Sequence, residues 1–358
     1  MRVSVIVQAV LFWAVGTTPA TVAAQDYPQR PIRLLVGFTP GGSTDLVGRL
    51  VAAKLSERLG QQVVVDNRAG ASGIIAAEIV SKSQPDGYTL LVSGSSISIV
   101  GSLYKDTKFD VQRDLEPLAL VATSPYVMVA HPSIGVKTVS ELIAYAKPRP
   151  GKISWGASTP GTVQHLSGEM FKRLAGIDMV FIPYKGTGAM LPDILGGRLQ
   201  IAVDNVLVLA PHVRTGTLTA LAVTTAKRTP ILPEVPSLAE SGLAGFDTSG
   251  WFSMYTAPKT PAPIVRKLNE EILAIVHLPE VRERLLTFGA TPLPGNAGRS
   301  APSTRARSAG LAQGDTGRGT QGGVAKRMAC APCRGGERAP ERIQCASSGA
   351  VGRSQYSL

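Results

Sequence analysis

Phe38-Thr39-Pro40-Gly41-Gly42-Ser43-Thr44-Asp45 joins an apolar run, residues 32–38, to a segment in which apolar side chains recur every four residues from Val47 and Val51 onward. That period predicts an amphipathic helix. A glycine pair between a strand and a helix lets the chain turn tightly, and the free N–H groups that begin the helix favour an anion. Asp45 lies in the first turn, where its carboxylate can accept from free N–H groups and brace the loop. The stretch therefore predicts a carboxylate- or phosphate-binding turn, with close packing of the two elements as the alternative.

The first 24 residues are typical of an export signal. Arg2 supplies a positive charge, residues 3–15 are apolar, and a stretch of small residues ends at Ala24. The apolar run is shorter than the roughly 20 residues of a membrane-spanning helix. We therefore expect residues 1–24 to be a cleaved signal peptide and the mature protein, from Gln25, to be periplasmic. A retained N-terminal anchor is the alternative.

Residues 297–358 lose the apolar periodicity and are rich in Arg, Gly, Ala and Ser. They hold ten of the 37 basic residues but three of the 25 acidic ones, so the formal charge of +12 belongs largely to this segment. Such a composition predicts a disordered tail. It has one aromatic residue, Tyr356, so we do not expect it to bind nucleic acid. The cysteines, Cys330, Cys333 and Cys345, all lie here without a second pair or a histidine cluster, which predicts neither a disulfide framework nor a metal site.

Between the two ends, strand and helix patterns alternate, which predicts an α/β fold with mostly parallel sheets. A second block opens with a strand at residues 126–130 and has its own polar turn, residues 156–162, before a helix. A strand at residues 250–255 then returns to the first block. We therefore predict a discontinuous first domain of residues 25–125 and 251–296 and a second domain of residues 126–250.

A ligand cleft is expected between the two polar turns, because ligands of open α/β sheets bind beyond the carboxyl ends of strands. Enzyme motifs are absent from the sequence: the nearest approach to a nucleophile elbow, residues 156–160, lacks the final glycine. The four histidines are scattered without metal-ligand spacing, and His165 is interpreted as structural or as a polar lining residue. An exported enzyme that uses Ser158 and His165 on a carboxylated substrate stays open as the alternative. No cofactor is expected.

The chain also resembles the Bug family of extracytoplasmic solute receptors, the substrate-binding component of tripartite tricarboxylate transporters. The resemblance extends from Tyr27 to Gly295 and rests on the following stretches: Tyr27-Pro28-Gln29-Arg30-Pro31-Ile32, Pro40-Gly41-Gly42-Ser43-Thr44-Asp45, Val65-Asp66-Asn67-Arg68-Ala69-Gly70-Ala71, Asp86-Gly87-Tyr88-Thr89-Leu90-Leu91, Gly161-Thr162-Val163-Gln164-His165-Leu166, Pro183-Tyr184-Lys185-Gly186-Thr187-Gly188, Pro233-Glu234-Val235-Pro236-Ser237 and Gly250-Trp251-Phe252.

The resemblance implies a two-domain, periplasmic-binding-protein-like (Venus flytrap) receptor that closes on a small carboxylated molecule and performs no chemistry. It implies a monomer that delivers the ligand to membrane components of a transporter or to a sensor kinase. It also implies that one carboxylate is held by two loops, largely through backbone groups and ordered waters. The ligand-binding residues it implies are Phe38 and the stretch Pro40 to Asp45 on the first side, with Pro40, Gly41, Gly42, Ser43, Thr44 and Asp45. On the second side they are the stretch Ser158 to His165, with Ser158, Thr159, Gly161, Thr162, Gln164 and His165. Ser93, Ser95 and Asp204 with Asn205 are implied as further contacts.

The chain departs from the family after Gly295, where such receptors continue into one more amphipathic helix rich in Glu and Trp. Here the Arg/Gly-rich tail begins instead at Ala297. A frameshift near codon 296 is our hypothesis for this departure, and a non-functional product of a frameshifted gene is then a third interpretation of the chain. The nucleotide sequence tests it: an alternative downstream frame must encode such a helix. The identity of the ligand is not specified by the sequence.

Overall fold

The computed structural model describes residues 27–99 and 108–296. The predicted signal peptide, residues 1–24, and the predicted tail, residues 297–358, lie outside these residues. Among the described helices, none combines the length and the apolar character that a membrane span requires.

Strands and helices alternate along most of the described chain. The strands are β1 (Ile32–Val36), β2 (Val63–Asn67), β3 (Thr89–Gly94), β4 (Glu116–Ala130), β5 (Ser154–Ala157), β6 (Val180–Pro183), β7 (Ile201–Asn205), β8 (Thr219–Val223), β9 (Ser249–Thr256) and β10 (Thr291–Asn296). The helices are α1 (Ser43–Leu59), α2 (Ile74–Ser81), α3 (Val111–Asp114), α4 (Val139–Ala146), α5 (Val163–Ala175), α6 (Thr187–Leu195), α7 (Val206–Arg214), α8 (Ala262–His277) and α9 (Pro279–Thr287). Short 3-10 turns lie at Ala71–Gly73 and Pro132–Ile134.

The strands form one sheet in the order β2-β1-β3-β9-β4-β7-β5-β6, with β8 and β10 also pairing with β4. Strand β4 pairs with β9 as far as Pro125 and with β7 from Tyr126 onward. It therefore divides the sheet into a first half, with β1, β2, β3, β9 and β10, and a second half, with β5, β6, β7 and β8. The domain boundaries predicted at residues 125/126 and 250/251 stay a prediction.

The strand directions bring two sets of carboxyl ends together. Strands β1 and β3 run in the same direction as β4, because β9 is antiparallel to both β3 and β4. Strands β5, β6 and β7 run in the opposite direction, because β7 is antiparallel to β4 and parallel to β5. The loops that follow β1 and β3 therefore face the loops that follow β5, β6 and β7, which is the arrangement expected of a ligand cleft.

Each half of the sheet is covered by helices over an apolar core. On α1, the predicted apolar face is buried at Val47, Val51 and Leu55, where it packs with β1 and β3 and with the inner face of α8. In the second half, Trp155 and Phe171 are among the largest fully buried side chains. Burying such side chains stabilises each half by about 1.5–3 kcal/mol per large apolar residue.

Two expectations about the strands were wrong. The sheet is mixed rather than mostly parallel, because β4 pairs antiparallel with β7, β8, β9 and β10. The strand expected at residues 126–130 begins at Glu116, since the prolines at 117 and 125 end the sequence pattern without ending the strand. The β4–β9 register shifts between Pro117 and Ala119, and an irregularity of this kind accommodates a residue that has no N–H to donate.

Candidate functional site

The first loop of the site, residues 37–42, follows β1 and is called loop 1. Its turn depends on Gly41, which has φ +76°, a conformation that favours glycine. The carboxylate of Asp45 accepts from the Gly41 N–H at 3.0 Å and from Arg49 at 2.9 Å, while the Asn67 amide donates to its other oxygen at 2.9 Å. Asp45 therefore braces loop 1, as its position predicted, and its oxygens are already bonded within the protein.

The second loop, residues 158–162, follows β5 and is called loop 2. Gly161 has φ +83°, and its N–H donates to Nδ1 of His165 at 3.1 Å. The two loops thus share one design, in which a left-handed glycine donates to the side chain four residues later. The Nδ1 atom of His165 is the acceptor, so the proton of the neutral ring lies on Nε2.

The two bracing side chains have opposite electrostatic settings. Burial alone raises the pKa of Asp45, but the hydrogen bonds from Arg49, Gly41 and Asn67 outweigh it and hold that pKa below its usual value. Burial lowers the pKa of His165, whose ring lies against Phe181 with the centroids 4.3 Å apart. At neutral pH these shifts keep Asp45 ionised and His165 neutral. Both side chains then accept a hydrogen bond from the glycine of their loop, so both loops are braced.

The helices that follow the two loops start differently. Helix α1 begins after Gly42, which supplies no side-chain cap, so no capping side chain satisfies its first N–H groups. Helix α5 is capped by Thr162, whose hydroxyl accepts from the His165 N–H at 3.4 Å. The α1 terminus is therefore the better prepared of the two to receive an anion.

Between the halves of the sheet lies a cavity of about 20 Å³, which is room for about one water molecule. Its lining combines neutral polar and aromatic side chains with one glycine and includes no charged residue: Phe38, Ser43, Thr44, Gly94, Ser95, Ser96, Tyr126, Gln164, Asn205, Trp251 and Phe252. None of these lining residues carries a positive charge, so an anion could be held here only by hydroxyl, amide and backbone groups.

The structure brings some of the predicted ligand-binding residues to this cavity and places others around it. Phe38, Ser43 and Ser95 line it, as does Asn205. The remaining predicted residues do not line it: Pro40, Gly41, Gly42, Asp45, Ser93, Ser158, Thr159, Gly161, Thr162, His165 and Asp204. Most of these lie in the two loops or brace them, so their direct contact with a ligand stays a prediction.

Thr44 and Gln164 line the cavity from within the two predicted stretches, residues 40–45 and 158–165, in the first turns of α1 and α5. Other lining residues were not predicted. Trp251 and Phe252 follow Gly250 in β9. The stretch Gly250-Trp251-Phe252 contributed to the family resemblance, but it was not predicted to line the site. Tyr126 is different, because only the pairing of β4 with β7 brings it here.

Asp204, in β7, is fully buried beside the cavity. Its Oδ1 accepts from the Asn205 N–H at 2.6 Å and from the Gln164 amide at 3.4 Å, while Oδ2 has no hydrogen-bond partner among the described residues. Burial raises the pKa of Asp204 to about 6, against the lowering effects of the Asn205 N–H and of the Thr187 and Gln164 side chains. A carboxyl group with this pKa changes charge near neutral pH. It lies beside a cavity whose lining residues include no cation.

Ser158 and His165 do not form a nucleophile–base pair in this structure. The Ser158 hydroxyl is buried without a hydrogen-bond partner among them, and the Nδ1 of His165 is engaged by Gly161. A nucleophile–base pair needs a hydrogen bond between the two, and the pair considered in the sequence does not make one. Within residues 27–99 and 108–296 there is also no cluster of three or more His, Cys, Asp or Glu side chains that could hold a metal ion.

Comparison with known proteins gives consistent matches over most of the chain. A family model described as "Tripartite tricarboxylate transporter family receptor" matches residues 47–304. Protein BugT of Bordetella pertussis is 39% identical over 285 residues, which cover 79% of this chain and 87% of BugT.

Two solved structures are similar over the same region. An R. palustris protein solved with adipate has a TM-score of 0.78 and 37% identity, covering 81% of this chain and 97% of that one. The periplasmic binding protein BugD has a TM-score of 0.77 and 34% identity, covering 80% of this chain and 97% of BugD.

Proposed function

This chain belongs to the tripartite tricarboxylate transporter family of receptors, and from that premise we propose that it captures a small carboxylated molecule between the two halves of its sheet. The observation that carries this proposal is the uncapped N-terminus of α1 at a cavity lined by neutral hydroxyl and amide groups. Backbone N–H groups at a helix start favour a carboxylate. The adipate held by the R. palustris relative is a molecule of this class.

Within the site, we assign the ligand's carboxylate to the first turn of α1. Ser43 and Thr44 are buried there, and both line the cavity. Ser95 and Ser96 approach from the end of β3, while Gln164 and Asn205 supply amides from the second half. The buried, unpartnered hydroxyls of Thr39 and Ser158 support roles for loops 1 and 2 beside the cavity.

Ligand entry requires the two halves to separate. A cavity of about 20 Å³ is too small for a dicarboxylate, since even one water molecule occupies about this space. Strand β4 belongs to both halves and its pairing changes from β9 to β7 at Pro125, so we place the hinge there. The domain division at residues 125/126 and 250/251 is part of this proposal.

Export and delivery complete the proposed function. We assign the mature protein to the periplasm, with residues 1–24 as its signal, because the BugD relative is a periplasmic binding protein. We extend the proposal to delivery to membrane components of a transporter or to a sensor, by a monomer that performs no catalysis. Membership of a transporter-receptor family is the support for this part. N-terminal sequencing of protein from a periplasmic extract should begin at Gln25, and an intact Met1 would contradict the cleaved signal.

Calorimetric titration with adipate, malate and shorter carboxylates tests the site itself. Thr44→Val keeps the shape of the side chain and removes the hydroxyl, so it should weaken binding of the preferred acid about tenfold. Thr215→Val makes the same change at an exposed position at the end of α7 and serves as the control. Equal affinities for the two variants would refute the assignment of the carboxylate to the start of α1.

A further inference from the structure

A second feature of the cleft is the backbone between β2 and α2. Residues 67–73, called the bridge segment, contain four consecutive residues with positive φ: Gly70 at 143°, Ala71 at 45°, Ser72 at 55° and Gly73 at 93°. A residue with a Cβ is strained in this region, so Ala71 and Ser72 adopt it at a cost in free energy. Such strain persists only where surrounding contacts hold it in place.

One part of the bridge segment is fixed to loop 1. The amide of Asn67 donates to the Phe38 carbonyl at 3.0 Å as well as to Asp45. At the other end of the segment, a Cβ added to Gly37 would lie 2.6 Å from the Cα of Gly73, so the two backbones are in direct contact. The bridge segment and loop 1 therefore form one unit in the first half of the molecule.

The middle of the bridge segment reaches loop 2 in the second half. The Ser72 hydroxyl lies 2.8 Å from the Thr159 hydroxyl and donates to the Pro160 carbonyl, also at 2.8 Å. Its side chain is only 1% exposed. Ser72, one of the two strained non-glycine residues of the bridge segment, thus makes a polar contact between the two halves.

We propose that the bridge segment is a latch for the closed cleft, with Ser72 as the positioning residue that holds loop 2 against loop 1. This inference rests on the proposed function, since closure matters only for a protein that captures a ligand. Opening would separate Ser72 from Thr159 and Pro160 and let the left-handed backbone relax. The strain therefore favours the open state, and the two hydrogen bonds of Ser72 favour the closed state. The balance between these opposing contributions sets how often the cleft opens.

Two substitutions separate the contact from the strain. Ser72→Ala removes the hydroxyl and keeps a Cβ at positive φ, whereas Ser72→Gly removes the hydroxyl and relieves the strain. Ser83→Ala is the matched control, because the Ser83 hydroxyl donates to a carbonyl at the same 2.8 Å but within its own helix end.

Hydrogen–deuterium exchange of the ligand-free protein gives the readout. The Thr39 N–H donates to the Lys185 carbonyl at 3.2 Å, across the two halves, so its exchange reports on opening. Ser72→Ala should speed exchange of the peptide that contains Thr39 about tenfold, as expected for the loss of two hydrogen bonds. Ser72→Gly should speed it less, because this variant also relieves the strain that favours opening, and Ser83→Ala should leave it unchanged. A purely local role would change exchange in the bridge segment alone.

Three results would overturn the latch: exchange at Thr39 unchanged in Ser72→Ala, a change confined to the bridge segment, or Ser72→Gly opening the cleft more than Ser72→Ala. Thr159→Val tests the same contact from loop 2 and should open the cleft without touching the strained backbone, while Thr159→Ser should restore closure. The exchange experiment uses the ligand-free protein, so its outcome does not depend on the carboxylate titration. A failed titration would refute the proposed receptor site without deciding whether Ser72 holds the cleft closed.

Discussion

Replacing Asp204 by Asn should stabilise the protein at neutral and alkaline pH. Burial raises the pKa of this carboxyl from 3.8 to about 6, and that difference corresponds to about 3 kcal/mol. Because the folded-state value is the higher one, the stability is fully present below pH 3.8 and is lost as the pH rises through about 6. Asn keeps an oxygen for the Asn205 N–H, and its amide nitrogen replaces an Oδ2 atom that has no partner to lose among the described residues.

The expected gain in the free energy of unfolding is therefore close to zero at pH 3.5 and about 3 kcal/mol at pH 8, a rise in Tm of about 5 °C. Urea unfolding measured at both pH values provides the comparison. Asp178→Asn makes the same substitution at an exposed position and is the control. A gain that is equal at the two pH values, or a loss at pH 8, would refute the reasoning from burial.

The remaining predictions concern the loops. Asp45→Ala removes the carboxylate that accepts hydrogen bonds from Gly41, Arg49 and Asn67. It should lower the free energy of unfolding by about 3 kcal/mol in urea titrations, and a loss below about 0.5 kcal/mol would contradict the bracing role. Burial lowers the pKa of His165, so the neutral ring stabilises loop 2 above pH 6.5 and this contribution is lost as the pH falls. His165→Asn should therefore lose less ligand affinity than the wild type between pH 7 and pH 5. Equal losses of affinity in the two proteins would contradict this role of the ring. Gly188→Ala places a Cβ 2.0 Å from the backbone of loop 1 and should weaken ligand binding at least tenfold by calorimetry, with an unchanged affinity ruling out tight closure.

The sequence predicted the local design of the site better than its lining. A glycine turn before an amphipathic helix, with Asp45 in the first turn, is a local pattern, and the structure confirms its bracing hydrogen bond. The same logic located loop 2. In contrast, Tyr126 and Asn205 meet at the cavity only because two strands of distant sequence pair with each other. Contacts of this kind depend on which strands pair in the sheet, and the apolar pattern along the sequence does not specify that pairing.

Two further features were hidden for different physical reasons. The first half of β4 was missed because Pro117 and Pro125 lack the N–H that a strand normally donates, and irregular pairing with β9 compensates. Ser72 was not among the predicted site residues, although it forms a contact between the halves. A left-handed serine cannot be recognised from residue type, since glycine is the usual occupant of that conformation.

Capture of a carboxylated ligand is tested most directly by thermal unfolding of residues 25–358 against a panel of small carboxylates, with uncharged amides as controls. A ligand at about 100 times its dissociation constant should add about 2.7 kcal/mol, which raises Tm by several degrees. We expect a cooperative transition and a selective rise with one acid or a few related acids. A cooperative transition that no carboxylate in the panel shifts would contradict the proposed function.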